Sequence, residues 1–123
     1  MKTASRILIF GSDLVLTELV VVALSGLGAE LRVAANWPDF ERLTARTVFD
    51  VVVVLEVAPV RSGRNFFRRI RPRPLRRPEI YVVAWHQAAD TVLAMLECGV
   101  DQYLSFPLNL SRLRGKVIAA LSR

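Results

Sequence analysis

With 123 residues, the chain has room for one domain, and a core of that size buries roughly two-thirds of the unfolded surface without needing staples. Its composition, 53% apolar and 23% charged, excludes a disordered chain, which lacks the hydrophobic mass to offset ordering entropy. The net charge of +6 is unevenly placed: eight arginines (Arg61, Arg64, Arg68, Arg69, Arg71, Arg73, Arg76 and Arg77) occupy 61–77 without one acid, and the remaining nine cations and eleven acids leave the rest of the chain at −2.

Strand and helix signals alternate from end to end. Arg6 to Phe10 (RILIF) is a short β-rich run. Its apolar part is too short for the core of a secretion signal, and Gly-Ser-Asp follows it. Apolar residues then recur at helical spacing at 15, 16, 19, 20, 23, 24 and 27, with Asp13 as the cap and Gly26 and Gly28 as the stop. This most hydrophobic stretch, Leu14 to Leu27, is broken by Thr17, Glu18, Ser25 and Gly26, well short of the roughly 20 apolar residues that span a bilayer. Glu30 to Val33 reads as a weaker strand, and Trp37 to Thr44 as a helix with Asn36 as N-cap and Pro38 in the first turn, where its missing N–H costs nothing.

The third strand is the plainest signal, because Val51 to Leu55 (VVVVL) is apolar on both alternating faces, as a central parallel strand covered by helices must be. A third helix near Gly63 to Ile70 is cut off by Pro72 and Pro74, and Ile80 to Ala84 is the fourth strand. Ala89 to Cys98 is a helix stopped by Gly99, Gln102 to Ser105 is the fifth strand, and Asn109 caps a last helix running to about Ser122. Cys98, the single cysteine, has no internal disulfide partner, which suits a reducing cytoplasm.

Five strands alternating with five helices require a parallel sheet covered on both faces: one α/β, three-layer, doubly wound domain over 1–123, with no repeat or linker. In such folds the functional crevice lies at the carboxyl ends of the strands. Here those ends carry Gly11, Ser12 and Asp13, then Leu55 and Glu56, then Ala84 and Trp85, then Phe106 and Pro107.

The order of these motifs resembles the receiver domain of two-component response regulators over Arg6 to Leu121. The matching pieces are RILIF with its acid-containing turn, FDVVVVLEVAP followed by Gly63, and above all LECGVDQYLSFPLN, in which Gly99, Asp101, Tyr103, Pro107 and Asn109 fall in register. The resemblance implies a flavodoxin-like (βα)5 sheet with strand order 2-1-3-4-5. It also implies a phosphoacceptor aspartate, an acidic pair holding Mg²⁺, a hydroxyl and a lysine. At those positions this chain has Leu55, Gly11-Ser12, Ala84 and Phe106, with Asp13 the neighbouring acid. These groups hold one another in place in a working site, because an unpaired buried charge is costly, so losing one favours losing the rest. Glu56, one position on from Leu55, is expected to face the other way along the strand, unless a one-residue bulge swings it into the pocket as a fixed charge. The Phe106-Pro107 bond is expected to be cis, as the Lys-Pro bond is in receivers.

Other features have a plain reading beside a functional one. Ser12 and Asp13 at a strand-to-helix turn suit an anion or metal, but Asp13 is equally an N-cap. No GxxxxGK[ST] supports a nucleotide-binding loop. His86 lacks partners for metal or nucleophilic chemistry, and Cys98 has no CxxC neighbour, so both read as inert. The arginine segment is either a contact surface for nucleic-acid phosphate, an acidic protein or anionic lipid, or a solvated, proline-stiffened loop; Phe66 and Phe67 within it read as core anchors of the third helix. Leu14, Val21 and Val22 lie off the sheet-facing stripe of the first helix, so that helix either packs against a partner or carries scattered surface hydrophobes. By the resemblance, Tyr103 is the switch aromatic, parked inward beside the small Ala84. Trp85, Asp101 and Lys116 are candidates for a face formed by the fourth helix, fifth strand and fifth helix, where a homodimer would form.

The sequence therefore leads to a non-enzymatic, cytoplasmic receiver-like domain with no catalytic residue, metal or cofactor, acting through protein contacts independently of phosphorylation. The alternative is a nucleic-acid or acidic-partner binder working through Arg61 to Arg77.

Overall fold

A computed structural model describes residues 4–56, 63–72, 77–84, 88–105 and 110–122, with side chains for all of these except 56 and 63–66. The element order is β1 (Arg6–Phe10), α1 (Leu14–Leu24), β2 (Glu30–Ala34), α2 (Trp37–Arg46), β3 (Val51–Glu56), α3 (Gly63–Ile70), β4 (Glu79–Ala84), α4 (Ala89–Glu97), β5 (Gln102–Ser105) and α5 (Leu110–Leu121). All strand pairings are parallel and the order across the sheet is β2-β1-β3-β4-β5. This is the expected doubly wound sheet, with β2, β3, β4 and α2 each a residue or two longer than their sequence signals.

Side chains alternate across the sheet and split the core in two. Ile7, Ile9, Val51, Val53, Leu55, Tyr81, Val83 and Leu104 pack against α1 and α5 through Leu16, Val20, Leu24, Leu113 and Val117. Leu8, Phe10, Val52, Val54, Ile80, Val82 and Ala84 pack on the other face against Phe40 of α2, Phe67 and Ile70 of α3, and Met95 of α4. Phe67 is thus the core anchor the sequence suggested; the side chain of Phe66 lies outside the described residues.

The first helix corrects the sequence. Its buried stripe is Leu16, Thr17, Val20 and Leu24, whereas Val15 and Leu19, assigned to the sheet-facing side, are 71% and 49% exposed. Val21, expected off the stripe, packs against the core, while Leu14 and Val22 do lie outside at 78% and 70% exposure. A helix apolar on nearly every side lets tertiary contacts with α5, and not periodicity, choose the buried face. Its C-terminal carbonyls are held from α5: Arg114 Nη1 donates to Ala23 O at 2.9 Å and to Ser25 O at 2.7 Å. Tyr81, fully buried in β4, has its hydroxyl 3.0 Å from both Glu79 Oε2 and Lys116 O, so one proton serves two acceptors between β4 and α5.

Candidate functional site

The crevice at the carboxyl edge of the sheet is shaped by how closely β1 approaches β3. Gly11 continues the ladder past Phe10, its N–H donating to Ala34 O at 3.0 Å. A Cβ on Gly11 would lie 2.7 Å from Leu55 Cβ and 3.1 Å from Leu55 O. Any side chain at this position, a carboxylate included, would have to displace the end of β3. Leu55 is 7% exposed and belongs to the core layer under α1 and α5. Ala84 is fully buried and belongs to the opposite layer.

Asp13 is an N-cap. Its Oδ1 accepts from Leu16 N–H at 2.8 Å, satisfying an otherwise orphaned donor of α1, and its carbonyl accepts the first helical bond from Thr17 N–H at 2.9 Å. Ser12 beside it is exposed. The β3–β4 register runs without a bulge through Leu55 opposite Val83 and Glu56 opposite Ala84. The side chain of Glu56 lies outside the described residues, as do Trp85, His86, Phe106 and the Phe106-Pro107 bond.

Between β1, β3 and the start of α2 lies a cleft of about 250 Å³ lined by Phe10, Gly11, Ser12, Ala35, Asn36, Trp37, Val54 and Leu55. It occupies the switch point between β1 and β3, where this topology places its ligands. None of the described lining side chains is charged. Asn36 caps α2 through Asp39 N–H at 2.9 Å, and its neighbour Trp37 packs edge-on against Phe10 and Phe40 with ring centroids 4.9 and 5.2 Å away. The described side chains do not suit a divalent ion. Asp13, the described carboxylate at this edge, already accepts a backbone N–H, and among the described residues no three metal-ligating side chains converge. Sequence reasoning missed Trp37 as a wall of this cleft; its signal was an aromatic at the first position of a helix that follows directly on a strand end.

The arginine segment is partly folded into the protein. Arg71 Nη1 donates to Pro78 O at 3.0 Å, its Nη2 donates to Gly99 O, and Nη1 lies 3.6 Å from Asp101 Oδ2. Gly99, at φ +105, lies so near Arg71 that a Cβ would meet Nη2 at 2.7 Å. Arg77 donates to Asp50 O at 3.2 Å and to Ala120 O at 2.9 Å, joining the β3 and β4 edges to α5. Arg69 forms an ion pair with Glu41 at 2.6 Å and stacks over Trp37 at 4.0 Å. Arg68 is exposed, and the side chains of Arg61, Arg64, Arg73 and Arg76 lie outside the described residues.

Asp101 and Tyr103 frame β5. Asp101 Oδ2 accepts from Ile80 N–H at 2.7 Å, so its carboxylate ties the start of β5 to β4 as well as meeting Arg71. Tyr103 is half-buried and packs against the core layer that contains Ala84. Lys116 contributes its carbonyl to Tyr81. Cys98 is a half-buried free thiol closing α4.

No family model matches the chain. Among curated proteins it is similar to the response regulator protein PmrA of Pseudomonas aeruginosa, 30% identical over 118 residues, covering 96% of this chain and 53% of that protein. It is also similar to the response regulator protein PilR of the same organism, 30% identical over 104 residues, covering 85% and 23%, and to the transcriptional regulatory protein DltR of Streptococcus agalactiae, 25% identical over 112 residues, covering 91% and 50%. The chain thus spans about half the length of these relatives, or less. Among solved structures, a two-component response regulator from Clostridium difficile matches with a TM-score of 0.80 at 26% identity, covering 97% of each chain. A response regulator from Thermotoga maritima matches at 0.84 and 20% identity, covering 98% and 100%, which speaks for the fold alone. Sheet order, motif register and these relatives agree: the chain is a response regulator receiver domain of the CheY-like kind.

Proposed function

We propose that this receiver domain signals by contact and not by accepting a phosphoryl group. The observation that carries the reading is the approach of Gly11 to Leu55, where a Cβ would stand 2.7 Å from its neighbour. A metal-binding pair and a phosphoacceptor need carboxylates at this edge; here β1 leaves no space for a side chain at position 11, the described residues lining the cleft beside it are uncharged, and Asp13 is spent on a helix cap. Acetyl phosphate with Mg²⁺ therefore leaves the intact mass unchanged. Beryllofluoride with Mg²⁺ leaves the amide spectrum unchanged, and saturable shifts at Leu55 or Ala84 would overturn the proposal.

The contact surface in this reading is apolar. Leu14, Val15, Leu19 and Val22 make an exposed stripe on α1, and water-exposed apolar stripes of this kind mark interaction faces. Leu93 and Leu96 of α4, 57% and 44% exposed, support a homodimer through α4, β5 and α5 as part of the same reading. The partner is a signalling or output protein in the cytoplasm; among the described residues no helix is long and apolar enough to cross a membrane. A nucleic-acid role for the arginine segment is disfavoured, since Arg71 and Arg77 spend their donors on backbone carbonyls. Only weak retention on duplex DNA, lost at modest salt, is the expected result.

A further inference from the structure

We propose that the cleft between β2 and the second half of α2 is an anion site that takes a small, multiply charged phosphate group of the pyrophosphate kind. The cleft has a volume of about 370 Å³ and is lined by Arg32, Arg42, Leu43, Arg46 and Thr47. Strand alternation puts Arg32 on the same face of β2 as the buried Ala34, toward α2. Arg42 and Arg46 are one helical turn apart and so share a face. Packing the edge strand against α2 therefore brings three guanidiniums to one concavity, with the half-buried Leu43 as its apolar wall.

The charges there are incompletely answered. Glu30 pairs with Arg32 at 2.6 Å and also serves Arg6 at 3.4 Å, and Asp39 reaches Arg42 at 3.5 Å. These acids are outside the lining of the cleft. Arg46 has no carboxylate partner, and the Thr47 hydroxyl no hydrogen bond, among the described residues. The C-terminal end of α2 works against an anion with roughly half a unit of negative charge, which three guanidiniums outweigh. Guanidinium forks match phosphate oxygens two at a time, and the strength comes from charge-assisted hydrogen bonds. A compact anion fits better than a nucleic-acid strand, because a strand lying along these arginines would meet Glu30 and Asp39, the acids paired with Arg32 and Arg42.

The test is an amide and arginine side-chain NMR titration of the whole chain with sodium pyrophosphate, run beside sodium chloride at matched ionic strength and a short DNA duplex. Saturable shifts concentrated at Arg32 and at 42–47, weakened roughly tenfold by R46Q and left alone by R68Q, are expected. All three lining arginines are exposed, so these exchanges leave the fold intact. Shifts reproduced by chloride would overturn the proposal as simple screening. Equal affinity in R46Q and parent would overturn it as binding elsewhere, and saturable binding of the duplex alone through these arginines would overturn the choice of ligand.

Discussion

Replacing Gly11 with alanine tests the close approach of β1 to β3 directly. The new methyl carbon would stand 2.7 Å from Leu55 Cβ, where ordinary contact begins at 3.4 Å, so the strand ends must part by about 0.7 Å. Overpacking a close-packed core costs about 1–3 kcal/mol, and alanine recovers about 0.4–1 kcal/mol by restricting the unfolded chain. The net loss is about 1–2 kcal/mol, read by urea denaturation with an unchanged slope, or as about 3–5 °C of Tm per kcal/mol at this chain length. Leu55→Ala costs about 2–5 kcal/mol by itself and leaves the offending Cβ in place, but because positions 11 and 55 touch, the double variant should depart from additivity by about 0.5 kcal/mol or more. Leu55→Gly removes that atom, and G11A should then cost measurably less than in the parent. If G11A proves as stable as the parent, β1 and β3 are not as close as described, and the argument against a carboxylate at this edge fails.

Arg71→Met should destabilise by about 2–4 kcal/mol, since it strands the carbonyls of Pro78 and Gly99 and removes the cation 3.6 Å from Asp101, whereas R68A should stay within about 0.5 kcal/mol; equal effects would return the segment to a uniform solvated surface. Y81F should lose about 1–2 kcal/mol with no change in fold, read by calorimetry, because Glu79 and Lys116 lose their shared donor. Arg32, and behind it Arg6, hold the Glu30 carboxyl below its ordinary value of 4.5. A depressed acid gives stability that is present above the unfolded value and lost as pH falls through the folded one. The advantage of the parent over E30Q should therefore be constant from neutral pH down to about 4.5 and shrink below it, and an advantage that already shrinks between pH 7 and 5 would refute the assignment.

The element order was legible because β-branched strands and capped amphipathic helices carry period and punctuation in their own residues, whereas the sheet order followed from the resemblance to receiver domains. Val51 to Leu55 could be little else than a central strand. The face of α1 was not legible, because leucines and valines occupy nearly its whole circumference and Thr17, a polar residue, takes a buried place that pattern would deny it. The eight arginines were legible as a charge run, but not as the separate tasks of Arg69, Arg71 and Arg77, since a long side chain finds carbonyls far away in sequence, such as Ala120, and leaves no spacing signal. Arg32, Arg42 and Arg46 drew no notice for the same reason: they form no run, and only the packing of an edge strand on its helix assembles them. At the crevice, the substitution of apolar residues was readable from register, but the tightness of Gly11 against Leu55 was not, because it depends on tenths of an ångström between strands.

Arg114 has a consequence for how the chain acquires its shape. The last helix holds the open carbonyls at the end of the first, and Arg77 reaches the same helix from the middle of the sequence. The first βα unit therefore gains these bonds only when a residue 91 positions further along has folded back onto it. What looks like a series of five alternating modules is closed as one unit by its fifth helix.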